Sequence, residues 1–145
     1  MLPHRALLAI AVVVDVALLA RGTPVAAKTL AQRQGRTPRH LESLLQGLVR
    51  HGILKGTRGP RGGYELARER RRIHLGEIVR LVGLEASETG SIPSSLIAAV
   101  VAPALARADA DYLARLDTIS IEELTKAAET LRATRAGATA AEFQI

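Results

Sequence analysis

Apolar positions recur at helical spacing along most of this chain, and the breaks in that spacing punctuate it. Over residues 4–20, Leu7, Leu8, Ile10, Ala11, Val14, Leu18 and Leu19 predict a first, mostly buried helix, which Arg21-Gly22-Thr23-Pro24 ends and turns. VAAKTLAQRQ (25–34) predicts a short second helix closed by Gly35. Thr37 is a good N-cap and Pro38 suits the first helical position, so a third helix, TPRHLESLLQGLVRH, starts there and ends at Gly52. Its pattern is two-sided. Leu41, Leu44, Leu45, Leu48 and Val49 form one stripe, while Arg39, Ser43, Gln46 and Arg50 lie opposite. One face is suited to packing and the other to touching something. Two short helices joined by a tight glycine-containing turn read as a helix-turn-helix.

After Gly52 the pattern changes to two short extended segments, ILKGT (53–57) and YELA (64–67), with RGPRGG between them. Pro and Gly there favour a loop joining two strands. Helix, helix, helix, hairpin is the order of a winged helix. IHLGEIVRLV (73–82) predicts a fourth amphipathic helix ended by Gly83, and LEASETGSIPS (84–94) is polar and loop-like. Residues 95–117 return to helical spacing, with Ile97, Val101, Leu105, Tyr112, Leu113 and Leu116 as the apolar positions and a kink expected at Pro103. Ser120 with Glu123 is a capping-box pair opening a last helix, 121–132. The predicted fold class is mainly α with a small β-hairpin wing. Its expected parts are a winged helix-turn-helix over 1–83, a linker loop at 84–94, further helices over 95–132 and a flexible tail over 133–145.

Charge sharpens this picture. The 145 residues carry a net +6, but residues 1–83 hold 15 Lys/Arg against 5 Asp/Glu, a net +10, while residues 84–145 hold 5 against 9, a net −4. A basic segment precedes an acidic one, which suits a polyanionic partner for the first. Aromatic residues are 2% of the chain, so the core must be built from Leu, Val, Ile and Ala. There is no cysteine, which excludes disulfides, zinc–thiolate sites and cysteine-ligated clusters. The four histidines, His4, His40, His51 and His74, show no metal-ligand spacing. The apolar run ALLAIAVVVDVALLA (6–20) is interrupted by Asp15 and is too short to span a bilayer, so a cytoplasmic protein without membrane contact is expected.

RGPRGG is not a nucleotide-binding phosphate loop, because no Lys-Ser/Thr follows the glycines and the next residues, Tyr-Glu-Leu, have a strand pattern. Arg58 and Arg61 at its tip make it a basic finger, and the glycines allow close approach to a phosphate or a groove. RERRR (68–72) reads as a solvated connector near the phosphates. No nucleophile–base–acid set stands out, so no enzyme is expected.

The stretch TPRHLESLLQGLVRHGILKGTRGPRGGYELAR, followed by IHLGEIVRLV, resembles the Rrf2-type winged-helix transcriptional regulators of bacteria, some of which sense iron–sulfur clusters, nitric oxide or cysteine status. The most specific part runs from Arg58 to Arg68; His40 stands where the family usually has Tyr. The resemblance is strong over residues 5–83 and weaker over 95–132, where the long helix and TISIEEL (118–124) are similar to the family's dimerisation region. It implies a homodimer on double-stranded DNA at a pseudo-palindromic operator, with the third helix in the major groove and the hairpin reaching the neighbouring minor groove. Carried over by position, Lys28 and Thr37 are implied phosphate contacts, and Arg39 and Ser43 implied base-edge contacts on the same helix as His40. Glu42 accepts from a cytosine amine, discriminates by repulsion, or simply pairs with Arg39 or a neighbour, and Gln46 lies deeper along the helix. Arg58 and Arg61 are the wing contacts; Tyr64 either buttresses the wing or simply packs. Ile97, Val101, Leu105, Tyr112, Leu113 and Leu116 become the implied dimerisation positions.

One departure changes the expected function. Sensing members carry a cysteine-rich loop between the fourth helix and the dimerisation helix, and here that segment has none. No iron–sulfur cofactor and no thiol-based sensing are expected. A small-molecule effector, a protein partner for the acidic half, and constitutive action all remain open. The leading expectation is a DNA-binding regulator, a repressor. The rival is a winged helix diverted to protein–protein contacts, which the arginines at 39, 50, 58 and 61 disfavour.

Overall fold

The computed structural model describes residues 2–86 and 94–142. In chain order its elements are α1 (His4–Leu19), α2 (Ala27–Arg33), α3 (Pro38–Arg50), β1 (Leu54–Thr57), β2 (Gly63–Leu66), a single 3-10 turn (Arg70–Arg72), α4 (Leu75–Ala86), α5 (Ala102–Leu116) and α6 (Ile121–Glu142). The helix, helix, helix, hairpin order of a winged helix is therefore present, and α4, α5 and α6 follow it along the chain.

Helix α1 is the central strut. Ala6, Ala9, Val12, Val13 and Val16 are fully buried, and these small side chains let α2, α4, α6 and β2 approach its axis. The buried face differs from the expected one: Leu7 is 52% exposed, because it falls on the open side of the helix. Asp15, the charge inside the apolar run, is 6% exposed. Its carboxylate takes Arg33 Nε at 3.0 Å and accepts a hydrogen bond from Gln34 Nε2 at 2.7 Å. A buried carboxylate needs such partners, and here they tie α1 to the end of α2.

Helix α3 buries Leu41, Leu44, Leu45 and Leu48, each at most 1% exposed. Each contributes about 2 kcal/mol of hydrophobic stabilisation. Val49, expected in that stripe, is instead 36% exposed at its edge. His51 closes the helix, its Nδ1 lying 2.9 Å from the Gly47 carbonyl oxygen.

The hairpin pairs β1 with β2 antiparallel, from Leu54 opposite Leu66 to Thr57 opposite Gly63. The wing does not stand alone. Val25 N–H donates to the Tyr64 carbonyl at 2.9 Å and Tyr64 N–H donates to the Val25 carbonyl at 2.8 Å. The second helix accordingly begins at Ala27, not at Val25, which belongs to the wing's pairing. Gly63 makes this possible, since a Cβ there would lie 2.2 Å from the Val25 oxygen.

Helix α4 starts two residues later than its pattern predicts and continues through Gly83 to Ala86. Ile73 and His74 are extended, and His74 bridges to Ser120. Leu75 N–H donates to the Ile119 carbonyl at 3.0 Å, and Ile121 N–H to the Ile73 carbonyl at 2.8 Å. Gly76 lets the turn after α5 come close: a Cβ on it would sit 1.8 Å from Asp117 Oδ1. That carboxylate accepts two hydrogen bonds from Arg80, at 2.6 and 2.7 Å. These bonds, and then the nearby guanidinium charge, hold the Asp117 carboxyl below the usual aspartate range despite some desolvation.

Pro103 is accommodated by a widened π turn over Ile97–Val101, in which Ala102 N–H donates to the Ile97 carbonyl. The wider turn gives the proline ring room while the helix continues to Leu116. Leu113 and Leu116, expected as dimerisation positions, face inward. Leu116 is 8% exposed and lies with Ile121 in the same buried cluster as α1 to α4, and Leu113 packs against that cluster. The capping box forms as its residues suggest: Glu123 N–H donates to Ser120 Oγ and Ser120 N–H donates to Glu123 Oε1, both at 3.3 Å. Helix α6 runs past 132, to Glu142. The RERRR connector lies against α6 and is largely paired within the chain. Arg68 meets Glu77 at 2.7 Å, Arg71 meets Glu69 at 2.6 Å, and Arg70 lies 3.9 Å from Glu129. The linker call falls mostly on residues 87–93, outside the described residues, as do the last residues of the tail, 143–145.

Candidate nucleic-acid interface

The buried leucines of α3 turn its other side outward. Arg39, His40, Glu42, Ser43, Gln46 and Arg50 are all exposed. Thr37 occupies the N-cap position, but its hydroxyl does not cap the backbone. It lies 2.9 Å from His40 Nδ1, so the two side chains orient each other over the first turn. Lys28 is exposed on α2.

The wing stands beside this face. Between α3 and the hairpin lies a groove of about 670 Å³, whose lining includes Gln46, Val49, Arg50, Arg58 and Tyr64. Tyr64 is half-buried, with its ring edge about 3.7 Å from where a Cβ on Gly56 would be. A smaller recess of about 480 Å³ brings Arg39, Glu42 and Tyr64 together. Arg61 lines a different recess, with Thr23, Pro24 and Thr29, against the turn between α1 and α2. The two wing arginines therefore line different recesses, Arg58 the one shared with α3 and Arg61 the one beside the turn between α1 and α2. Arg58 and Arg50 share the larger groove, a pairing that the hairpin sequence by itself does not show.

Two residues outside the sequence-derived set join this surface. Arg5, in the first turn of α1, donates to Ser43 Oγ at 3.2 Å. Arg36, just before Thr37, donates to His4 Nε2 at 2.5 Å. No sequence signal links Arg5 to Ser43, since 38 positions separate them. Arg50 was legible on the polar face of the third helix, but only the folded wing shows that it shares a groove with Arg58.

A basic, exposed helix face flanked by an arginine-bearing hairpin defines a winged helix-turn-helix protein. The comparisons agree. The Rrf2 family profile, described as "Iron-dependent Transcriptional regulator", matches residues 2–127, and the chain belongs to that family. It is 36% identical over 74 residues to the HTH-type transcriptional regulator IscR of Xenorhabdus nematophila, an alignment covering 51% of this chain and 45% of that protein. The chain thus matches about half the length of such curated relatives. Among solved structures it is similar to T. potens IscR, with a TM-score of 0.70 and 30% identity over 90% of each chain. It shares its fold with CymR, the global cysteine regulator of B. subtilis, at a TM-score of 0.65 and 23% identity over 87% of this chain and 96% of that one. These relatives are regulators, not enzymes. Among the described residues no helix is long and apolar enough to cross a membrane.

The iron in the family's description does not fit the donors present. The sequence has no thiolate, and among the described residues no group of three His, Asp or Glu side chains could hold a metal ion. His4 is bonded to Arg36, His40 to Thr37 and His51 to a backbone carbonyl.

Proposed function

We propose that this chain is a sequence-specific DNA-binding transcriptional regulator, a cytoplasmic repressor. It acts as a homodimer on a pseudo-palindromic operator and needs no iron–sulfur cluster. The observation that carries this reading is the shared groove: Gln46 and Arg50 from the polar face of α3 and Arg58 of the wing line one cleft, beside the recess that holds Arg39 and Glu42. In this reading α3 enters the major groove. Arg39, His40, Glu42 and Ser43 meet base edges, with Gln46 at the limit of reach. Lys28 and Thr37 meet phosphates, and Arg58 and Arg61 serve the wing, with Tyr64 as its buttress.

The winged helix-turn-helix of residues 1–83 would read DNA, and α5 would join two copies. Leu96, Ile97, Val100, Val101, Leu105 and Tyr112 are between 40% and 64% exposed along one helix. An apolar row of that length supports an interface with a second copy, which would set two recognition helices about 34 Å apart on the duplex. The missing thiolates support action without a cluster.

The test is selection of bound DNA from genomic fragments with metal-free protein. One enriched palindrome-like site, with affinity falling steeply as salt rises, is the expected result. Recovery of no preferred sequence, with protein of the right fold and mass, would favour the rival, a winged helix that contacts proteins.

A further inference from the structure

The geometry points to Arg5 as a positioning residue that sets which bases Ser43 can read; this rests on the proposal above that α3 faces base edges. A serine hydroxyl has one hydrogen to donate and two lone pairs to accept with. In this chain one lone pair is already engaged, because the Arg5 guanidinium donates to Ser43 Oγ at 3.2 Å. The Ser43 hydroxyl has no other hydrogen-bond partner among the described residues, so its hydrogen is available to an incoming acceptor.

The position of Arg5 is set by its neighbours. Ala6 beside it is fully buried, and the Arg36 guanidinium donates to His4 Nε2 at 2.5 Å on its other side. The first turn of α1 is thus bonded to the α3 edge at two points, before Thr37 and at Ser43.

A cation on the hydroxyl oxygen repels further donors and polarises the O–H toward an acceptor. In the major groove guanine offers N7 and O6, adenine N7 and thymine O4, whereas cytosine offers an amine donor. Ser43 backed by Arg5 therefore disfavours cytosine at the base it faces, because its remaining lone pair would have to accept from the amine beside the guanidinium charge. Without Arg5 the same hydroxyl can accept as readily as donate, and cytosine becomes tolerated. Arg5 need not touch DNA to have this effect.

The experiment measures full-length protein binding to a panel of the selected operator with every base substituted at each half-site position. Wild type, Arg5→Ala, Ser43→Ala and the double variant are compared at fixed salt, with melting curves confirming that each folds. Wild type is expected to disfavour cytosine about tenfold at one position. Arg5→Ala should remove most of that penalty there and leave preferences elsewhere unchanged. Adding Arg5→Ala to Ser43→Ala should change that position no further, because the hydroxyl through which Arg5 acts is gone. A uniform loss of affinity with a shallower salt slope would make Arg5 a phosphate contact and overturn the inference. So would an Arg5 effect that persists in the Ser43→Ala background. If wild type selects a clear site and Arg5→Ala changes no base preference, this inference fails and DNA reading stands. If wild type selects no site, both fail.

Discussion

Helices α3 and α5 are of similar length and both carry apolar residues at helical spacing, yet the fold treats them in opposite ways. Helix α3 hides its leucines against α2, β1 and α4 and shows its charges. Helix α5 leaves its apolar residues exposed from the π turn to Tyr112 and tucks in only Leu113 and Leu116 at its end. The same pattern therefore has two meanings. In α3 it is satisfied within the chain, so the opposite face is available for a partner of another kind. In α5 it is unsatisfied, and the apolar face is itself the surface that needs covering.

Substitutions at equivalent leucines sharpen this contrast. Leu44→Ala should destabilise the protein by about 2–5 kcal/mol, measured by denaturant unfolding, because it empties a site the surrounding core cannot refill. Loss of less than 1 kcal/mol would mean that α3 is not seated as described. Leu105→Asp should leave the fold intact but weaken self-association by about 3 kcal/mol, roughly a hundredfold, the size expected for an unpaired charge in an apolar contact. Light scattering across a dilution series reads this directly, and an unchanged dimer would move the interface away from α5.

On the polar side of α3, Arg39→Ala should reduce discrimination at one operator position by about 1–3 kcal/mol and leave stability nearly unchanged. A binding profile identical to that of wild type would show that α3 is docked otherwise. The smallest effect concerns the clasp between α4 and the turn after α5. The folded-state pKa of Asp117 lies below its unfolded value, so its contribution is present at neutral pH and is lost as the pH falls through the folded-state pKa. Asp117→Asn should therefore lower the melting temperature slightly at neutral pH, and the gap from wild type should close in acid. Both groups of this pair are exposed, so the effect is modest. A gap that widened in acid would contradict the pairing.

Much of the architecture was legible because it is written in local chemistry. Pro38 after Thr37, the glycines around the hairpin and the Ser120–Glu123 pair each act within a few residues, and the corresponding elements form. Errors arose where a distant partner decided the outcome. Val25 has the look of a helix start but pairs with Tyr64. Leu113 and Leu116 share a stripe with Leu105, yet the turn into α6 returns them to the chain's own core. The RERRR run could be read only as charge, whereas Glu77 and Glu129 decide where it sits.

The sequence by itself determined the order of elements, the two-sided third helix, the basic character of the first 83 residues and the lack of thiolates, since all of these depend on residue type and short spacing. Tertiary structure decided which surfaces these residues share: Arg58 with Arg50 across a groove, Arg61 in a separate recess, Arg5 on Ser43, and an apolar row from Leu96 to Tyr112 left exposed by the described residues. The physical reason is that spacing along a chain specifies only local geometry. Contacts between distant residues depend on how small residues such as the buried Ala6 and Ala9, and Gly63 in the wing, let whole elements approach.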